Sequence, residues 1–253
     1  MLDTDAAPLL NLAPLDRAAS PATFCALAGR LLPWFARAAF LSISVALAID
    51  VLILPAGGPG GANCIAFIHL PAAWMSLLTY LLMAGCAVLA LANIRLPALL
   101  MVALAPTGVM FTVVTLCTGM LWGKPSWGVW WAWDARMTSE LILFFAYIGF
   151  LALRAMNDDR RRADRYSAVL VIVGALNIPI IYFSLSWWSA TPHLGVAASM
   201  IGSARMAHTT LGGTLLMTLA FWMYANAAVL ARVRCLVLES KQDLGVATRE
   251  GAA

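Results

Sequence analysis

Charged residues are scarce in this chain of 253 residues, since Lys, Arg, Asp and Glu together make up only 11% of it. Hydrophobic residues make up 62%, and the mean hydropathy is +0.86. A water-soluble domain of this length does not have such a composition. The sequence therefore predicts a polytopic membrane protein whose main partner is the lipid bilayer. The net charge of +4 is expected to reflect loop topology, so no nucleic-acid binding is predicted.

Several short motifs are also missing. The five cysteines are scattered, without a C-x-x-C, a C-x-x-C-H or a zinc-like pairing, which disfavours thiol–disulfide exchange and cofactor attachment through cysteine. No glycine-rich phosphate loop is present, so any ATP-driven step is expected to belong to another protein. Residues 1–30 lack an early basic region. We therefore expect no cleaved signal peptide, with the first span serving as the targeting signal.

Six apolar runs reach the length of about 20 residues that a helix needs to cross a bilayer. They show no alternation of apolar and polar residues, so helices are favoured over strands of a barrel. The sequence predicts an all-α fold, with a cytoplasmic segment 1–30, a membrane domain 31–235 and a polar cytoplasmic tail 236–253. The predicted spans are about 36–54, 70–92, 97–120, 138–154, 167–186 and 207–231.

Most basic residues fall before the first span, in alternate connections and after the last span. The positive-inside rule places these regions, and with them both termini, in the cytoplasm. The segment 121–137, between the third and fourth spans, is then on the outer side. The basic residues predicted to lie outside are Lys124, Arg136 and Arg205.

Five of the ten tryptophans lie within thirteen residues of this outer region, which we call the Trp-rich segment (residues 121–137). They are Trp122, Trp127, Trp130, Trp131 and Trp133. Indole faces held at a membrane surface can bind a flat, amphipathic, aromatic ligand such as a porphyrin, and the alternative is an ordinary interfacial belt. If the run is helical, Trp127, Trp130, Trp131 and Asp134 share one face of a short amphipathic surface helix.

All three histidines map to the outer half of the predicted topology. His69 starts the second span, and His193 lies between the fifth and sixth spans. Two imidazoles from different helix ends, with the Trp-rich segment between them, can supply the two axial ligands of a haem iron. His208 is expected to be an ordinary interfacial residue.

The run from Trp127 to Asp134 resembles the WGxxWxWD signature of haem-handling proteins. The flanking sequences W-G-K-P at 122–125, D-A-R-M-T-S-E-L at 134–141 and H-L-P-A-A at 69–73 are similar to those of one family, CcmC. The resemblance covers roughly residues 25–235. The related CcmF and CcsA proteins share the signature but typically have more spans and more histidines.

The resemblance implies a membrane protein that delivers haem and is not an enzyme. It would collect haem b at the periplasmic face of a bacterial inner membrane and present it to the haem chaperone CcmE during cytochrome c biogenesis. CcmD and the ATP-binding cassette subunits CcmA and CcmB are the further partners implied. His69 and His193 fall at the family's axial histidines, and the tryptophans fall on its haem platform.

Two charged residues follow the tryptophans. Arg136 is the candidate counter-charge for the haem propionates, and the alternative is an i,i+4 pair with Glu140. Asp134 is expected to cap the next helix, although it can also accept from Arg136 or contact the chaperone.

Two other functions are compatible with the pattern. A membrane b-type cytochrome also needs outward histidines, but three histidines on one side cannot make the two bis-histidine sites that usually cross a bilayer. A permease for a small amphipathic solute predicts helices broken near the middle of the membrane. The sequences Asn177–Pro179 and Pro106–Gly108 leave that option open.

The predicted topology can be checked with reporter fusions. Fusions after Arg162 and after Arg234 are expected to report the cytoplasm, because basic residues cluster beside both positions. A fusion near Ser126 is expected to report the outer compartment. A cytoplasmic signal at Ser126 would contradict the topology, because the Trp-rich segment would then face the wrong side.

Overall fold

The computed structural model describes residues 21–52, 62–92, 94–157, 159–187 and 208–250, and no β-strand occurs within these ranges. Six segments are long and apolar enough to cross a membrane, which confirms the all-α prediction and the number of spans. The helices of the described residues are α1 (Pro21–Leu52), α2 (Ala62–Leu91), α3 (Arg95–Trp127), α4 (Ala135–Ala155), α5 (Arg160–Ala175), α6 (Asn177–Trp187) and α7 (His208–Glu250).

The first helix begins earlier than the sequence analysis predicted. The predicted span was 36–54, whereas the apolar part of α1 is Thr23–Ile49. Arg30, which precedes the predicted span, and Arg37 both lie on α1 with exposed side chains, and the Arg37 guanidinium lies 5.9 Å from the centre of the Trp34 ring. Long basic side chains can reach the membrane surface from within a helix, so they do not mark its end.

Helix α3 is the most buried of the six spans. It packs against α2, α4 and α7, while α1 packs along α7 and touches α2 only lightly. The main core lies where α2, α3, α4 and α5 meet, and it includes Tyr80, Met101, Leu143, Tyr147 and Phe150. Apolar faces of α4 and α5 point outward, as expected for helices in contact with lipid.

The fifth span consists of two helices. Helix α5 ends at Ala175, and the Leu176 amide bonds back to the carbonyl of Val173 before α6 begins at Asn177. The Asn177 side-chain amide donates to the carbonyl of Ser139 on α4, at 2.7 Å. The helix break that a permease would require is present, but this hydrogen bond fixes the break against a neighbouring helix. The break alone does not favour transport through that position.

Two glycines allow two tyrosines to enter the core. The rings of Tyr80 and Tyr147 pack edge to face, with 4.9 Å between their centres. A Cβ at Gly108 would overlap the Tyr147 ring, and a Cβ at Gly174 would overlap the Tyr80 hydroxyl. These glycines therefore set how closely α3 and α5 approach the tyrosines.

We expect Gly108→Ala and Gly174→Ala to destabilise the protein by about 1–3 kcal/mol each, as overpacked cores do. Gly85→Ala is the matched control, because nothing lies within 4 Å of a Cβ at Gly85. The measurement is the thermal unfolding midpoint of the protein in detergent. Equal midpoints for Gly85→Ala and Gly108→Ala would show that the packing around Tyr147 adapts freely.

Candidate functional site

The run from Trp127 to Asp134 is not a surface helix, so Trp127, Trp130, Trp131 and Asp134 do not share one helix face. Helix α3 continues to Trp127 and ends at Gly128, which has φ of 78°, a left-handed conformation that favours glycine. The Gly128 amide donates to the carbonyl of Lys124, and the Lys124 ammonium donates to the carbonyl of Gly128 at 3.1 Å. Residues 129–134 then run without helix to the start of α4. The sequence analysis did not take account of Gly128 as a helix terminator.

The tryptophans therefore fall into two groups. Trp122 lies within α3, whereas Trp130, Trp131 and Trp133 lie in the non-helical connection. Trp130 and Trp133 are 55% and 78% exposed. The rings of Trp131 and Trp133 meet edge to face with 5.4 Å between their centres. The connection thus presents broad indole faces at its surface.

Trp131 differs from its neighbours in having a buried indole nitrogen. Its Nε1 is out of contact with solvent and has no hydrogen-bond acceptor among the residues that the structure describes. A buried N–H donor without an acceptor is uncommon and costs free energy. A ligand that carries an oxygen acceptor would satisfy it.

Asp134 caps the helix that follows the tryptophans. It has an extended backbone conformation, and its carboxylate accepts from the Met137 amide at 2.7 Å. This is the usual geometry of a helix N-cap, so the expected capping role is confirmed. The cap fixes where α4 begins and therefore where Arg136 lies in its first turn.

His69 lies on α2 and is almost fully buried, with 8% of its surface exposed. Its Nδ1 is 2.9 Å from the Thr118 hydroxyl on α3. Its ring meets Trp122 edge to face, with 5.6 Å between the ring centres. Among the described residues no hydrogen bond is formed by Nε2, so one ring nitrogen is held by the protein and the other remains available.

One face of α3 surrounds the His69 ring. Thr118 and Trp122 are four residues apart on that face, and Gly119 lies next to Thr118. A Cβ at Gly119 would lie 3.3 Å from the His69 ring carbon Cε1 and 3.1 Å from the sulfur of Met137. The absence of that Cβ leaves room for both side chains. Sequence reasoning missed Thr118, Gly119 and Met137, although the spacing of Thr118 and Trp122 was a usable signal.

The Arg136 guanidinium, on the first turn of α4, is within electrostatic range of the His69 ring, Asp134 and Glu140. The contact ion pairs between described residues join Arg154 to Asp164 and Arg162 to Asp159, and Arg136 takes part in neither.

The alternative partner proposed for Arg136 is engaged elsewhere. The Glu140 carboxylate accepts a hydrogen bond from the Ser76 hydroxyl at 2.7 Å, and Glu140 is 5% exposed. No contact ion pair joins Arg136 and Glu140 among the described residues, and their i,i+4 interaction is electrostatic only. The N–H groups of the Arg136 guanidinium can therefore donate to another partner.

Some predicted site residues lie outside what can be described. His193 falls in the segment 188–207, which is outside the described residues. Trp127 and His208 lie on helices, but their side chains are also outside that description. The bis-histidine arrangement is thus represented here by His69 alone.

The described residues favour an organic ligand over a bare metal ion. Within the parts of the chain that the structure covers, no group of three His, Cys, Asp or Glu side chains could hold a metal ion. The candidate residues supply instead one available imidazole, one cation without a contact ion pair among the described residues, and the indole of Trp122 against the imidazole. This donor set suits a flat, anionic, metal-bearing macrocycle.

Comparison with known proteins gives an independent result. Residues 14–247 match the family model described as heme exporter protein C. Heme exporter protein C of Bradyrhizobium diazoefficiens is 38% identical over 224 residues, covering 88% of this chain and 85% of that protein.

Two further relatives agree with this result. Heme exporter protein C of Escherichia coli K12 is 40% identical over 183 residues, covering 72% of this chain and 74% of that protein. A ccmC-like mitochondrial protein of Marchantia polymorpha, whose name assigns it to cytochrome c biosynthesis, is 40% identical over 163 residues, covering 64% of this chain and 68% of its own. The chain is a multipass membrane protein that belongs to the heme exporter protein C (CcmC) family.

Proposed function

We propose that this protein binds haem b at the periplasmic face of the bacterial inner membrane and delivers it to the chaperone CcmE for cytochrome c biogenesis. His69 and His193 act as the two axial ligands of the iron. The Trp-rich segment, with Trp122, Trp127, Trp130, Trp131 and Trp133, covers part of the ring. Asp134 acts through its cap of α4, and Arg136 binds a propionate.

The observation that carries this proposal is the buried His69 ring packed against Trp122, with the Arg136 guanidinium within electrostatic range. A guanidinium and an imidazole do not stabilise each other by charge. Arg136 has no contact counter-ion among the described residues. A haem molecule offers an iron to the imidazole and a carboxylate to the guanidinium, and guanidinium–carboxylate contacts are strong and geometrically selective.

The tryptophans suit a ligand that is held and then released. Indole faces contribute apolar contact without a fixed charge. Because Trp130 and Trp133 remain largely exposed, a partner can approach this side of the bound ring. The buried Nε1 of Trp131 offers a donor to a propionate oxygen. The protein thus supplies binding and orientation, and the proposal assigns it no catalytic residue.

The partners follow from family membership. A protein of this family is expected to work with CcmE as acceptor of the haem, with CcmD, and with the ATP-binding cassette subunits CcmA and CcmB. The sequence has no phosphate-binding loop of its own, so ATP hydrolysis is assigned to the cassette subunits. Family membership also favours haem delivery over the b-type cytochrome and the permease.

We predict that removing either proposed ligand changes the haem spectrum. His69→Gly and His193→Gly are each expected to lose six-coordinate character and to regain it when free imidazole fills the vacated position. His208→Ala is the matched control, since His208 is outside the proposed ligand set. The measurement is the optical spectrum of the purified protein with and without imidazole.

The ligand assignment is wrong if both glycine variants keep the wild-type spectrum without imidazole. It is also wrong if only His208→Ala alters the spectrum. Loss of haem in the glycine variants that imidazole fails to restore would contradict direct ligation too, because a vacated axial position accepts free imidazole.

We predict that Arg136→Gln weakens haem binding about tenfold or more, because a hydrogen bond to a charged group contributes roughly 1.5–3 kcal/mol. Arg161→Gln removes the same charge from an exposed position on α5 and is expected to leave binding unchanged. The measurements are the haem dissociation constant and the amount of haem covalently trapped on CcmE. Equal affinities in the two variants would exclude a propionate contact by Arg136.

A further inference from the structure

The Thr118 hydroxyl, which contacts His69, lies within hydrogen-bonding distance of three groups but has one hydrogen to donate. Thr118 Oγ1 is 2.6 Å from the carbonyl of Val114 and 3.2 Å from the carbonyl of Thr115, both on its own helix. The same oxygen is 2.9 Å from His69 Nδ1. A threonine hydroxyl has a single hydrogen to donate, so only one of these contacts can use it.

The geometry of α3 indicates which contact uses the hydrogen. A threonine in a helix commonly donates to the carbonyl four residues earlier, and the distance to Val114 is the shortest of the three. The Thr112 and Thr115 hydroxyls make the same kind of bond on this helix, at 2.7 and 2.9 Å. With its hydrogen directed to Val114, Thr118 offers His69 only a lone pair.

With only a lone pair to offer, Thr118 requires a hydrogen on the histidine nitrogen that it contacts, which is Nδ1.

We infer that Thr118 is a positioning residue that holds His69 in the tautomer with its hydrogen on Nδ1, so that the lone pair of Nε2 faces the ligand. This inference deepens the proposed function and depends on it, because it assigns a role toward an axial ligand. Gly119 and Trp122 limit the ring from the same helix face. The ring is thus held both in its orientation and in its tautomer before haem arrives.

The consequence concerns how strongly His69 binds the iron. A ligating histidine whose other nitrogen donates to an acceptor is a better electron donor, and loss of such a partner typically weakens metal binding about 10- to 100-fold. A better donor also stabilises ferric over ferrous iron, so the hydrogen bond is expected to lower the midpoint potential of bound haem. Thr118 would therefore contribute to both affinity and potential without touching the ligand.

The first test reads the tautomer in the haem-free protein. Because the chain has only three histidines, histidine labelled with ¹⁵N and ¹³C gives three ring signals, and the one lost in His69→Ala belongs to His69. The wild-type ring is expected to show its hydrogen on Nδ1. A hydrogen on Nε2 in the wild-type protein would overturn the inference without the need for any Thr118 variant.

The second test uses variants of Thr118 and a matched control. Thr118→Val keeps the shape and removes the hydroxyl, and it is expected to weaken haem binding about 10- to 100-fold and to raise the midpoint potential. Thr118→Ser keeps the hydroxyl and is expected to restore both values. Thr112→Val is the control, because the Thr112 hydroxyl is buried on the same helix and donates to the Gly108 carbonyl.

The outcomes separate this inference from the proposed function. Wild-type affinity and potential in Thr118→Val, with ligation lost in His69→Gly, would overturn the role of Thr118 and leave the proposed function standing. An equal loss in Thr112→Val and Thr118→Val, without rescue by serine, would reduce Thr118 to a packing residue and also overturn the inference. Unchanged ligation in His69→Gly would overturn the proposed function itself.

Discussion

A carboxyl group inside a hydrocarbon layer has to find its hydrogen bond within the protein. Glu140 on α4 finds it in Ser76 on α2, and the Tyr147 hydroxyl, two turns further along α4, donates to the carbonyl of the same serine. These bonds fix α4 against α2. His69 lies two turns before Ser76, and Arg136 lies one turn before Glu140, so the same bonds help to place the imidazole and the guanidinium relative to each other.

Features that depend on nearby residues or on the membrane could be predicted from the sequence. The number of spans follows from the length of apolar chain that a bilayer requires, whatever the helices later contact. The cap by Asp134 is local, since acceptor and donor are three residues apart. The start of α1 was misplaced because Arg30, which precedes the predicted span, lies on the helix while its side chain stays exposed.

Features that depend on a second helix could not be predicted. The hydrogen-bond partner of Glu140 is Ser76, which is 64 residues away from the glutamate. The partner of His69 is Thr118, 49 residues away, and the sequence offers many threonines as candidates. The end of α3 could have been predicted locally, because Gly128 is a residue type that commonly ends helices. The prediction instead relied on the high density of tryptophans around it. The site is therefore assembled by contacts between α2, α3 and α4 that the residues of one helix do not reveal.

The packing of α1 along α7 bears on how the chain is made. Because α7 comes long after α1 along the chain, α1 is synthesised and inserted before its main neighbour exists. A partly synthesised chain therefore holds α1 without the helix that it packs along, and the bundle can close only after α7 has entered the membrane.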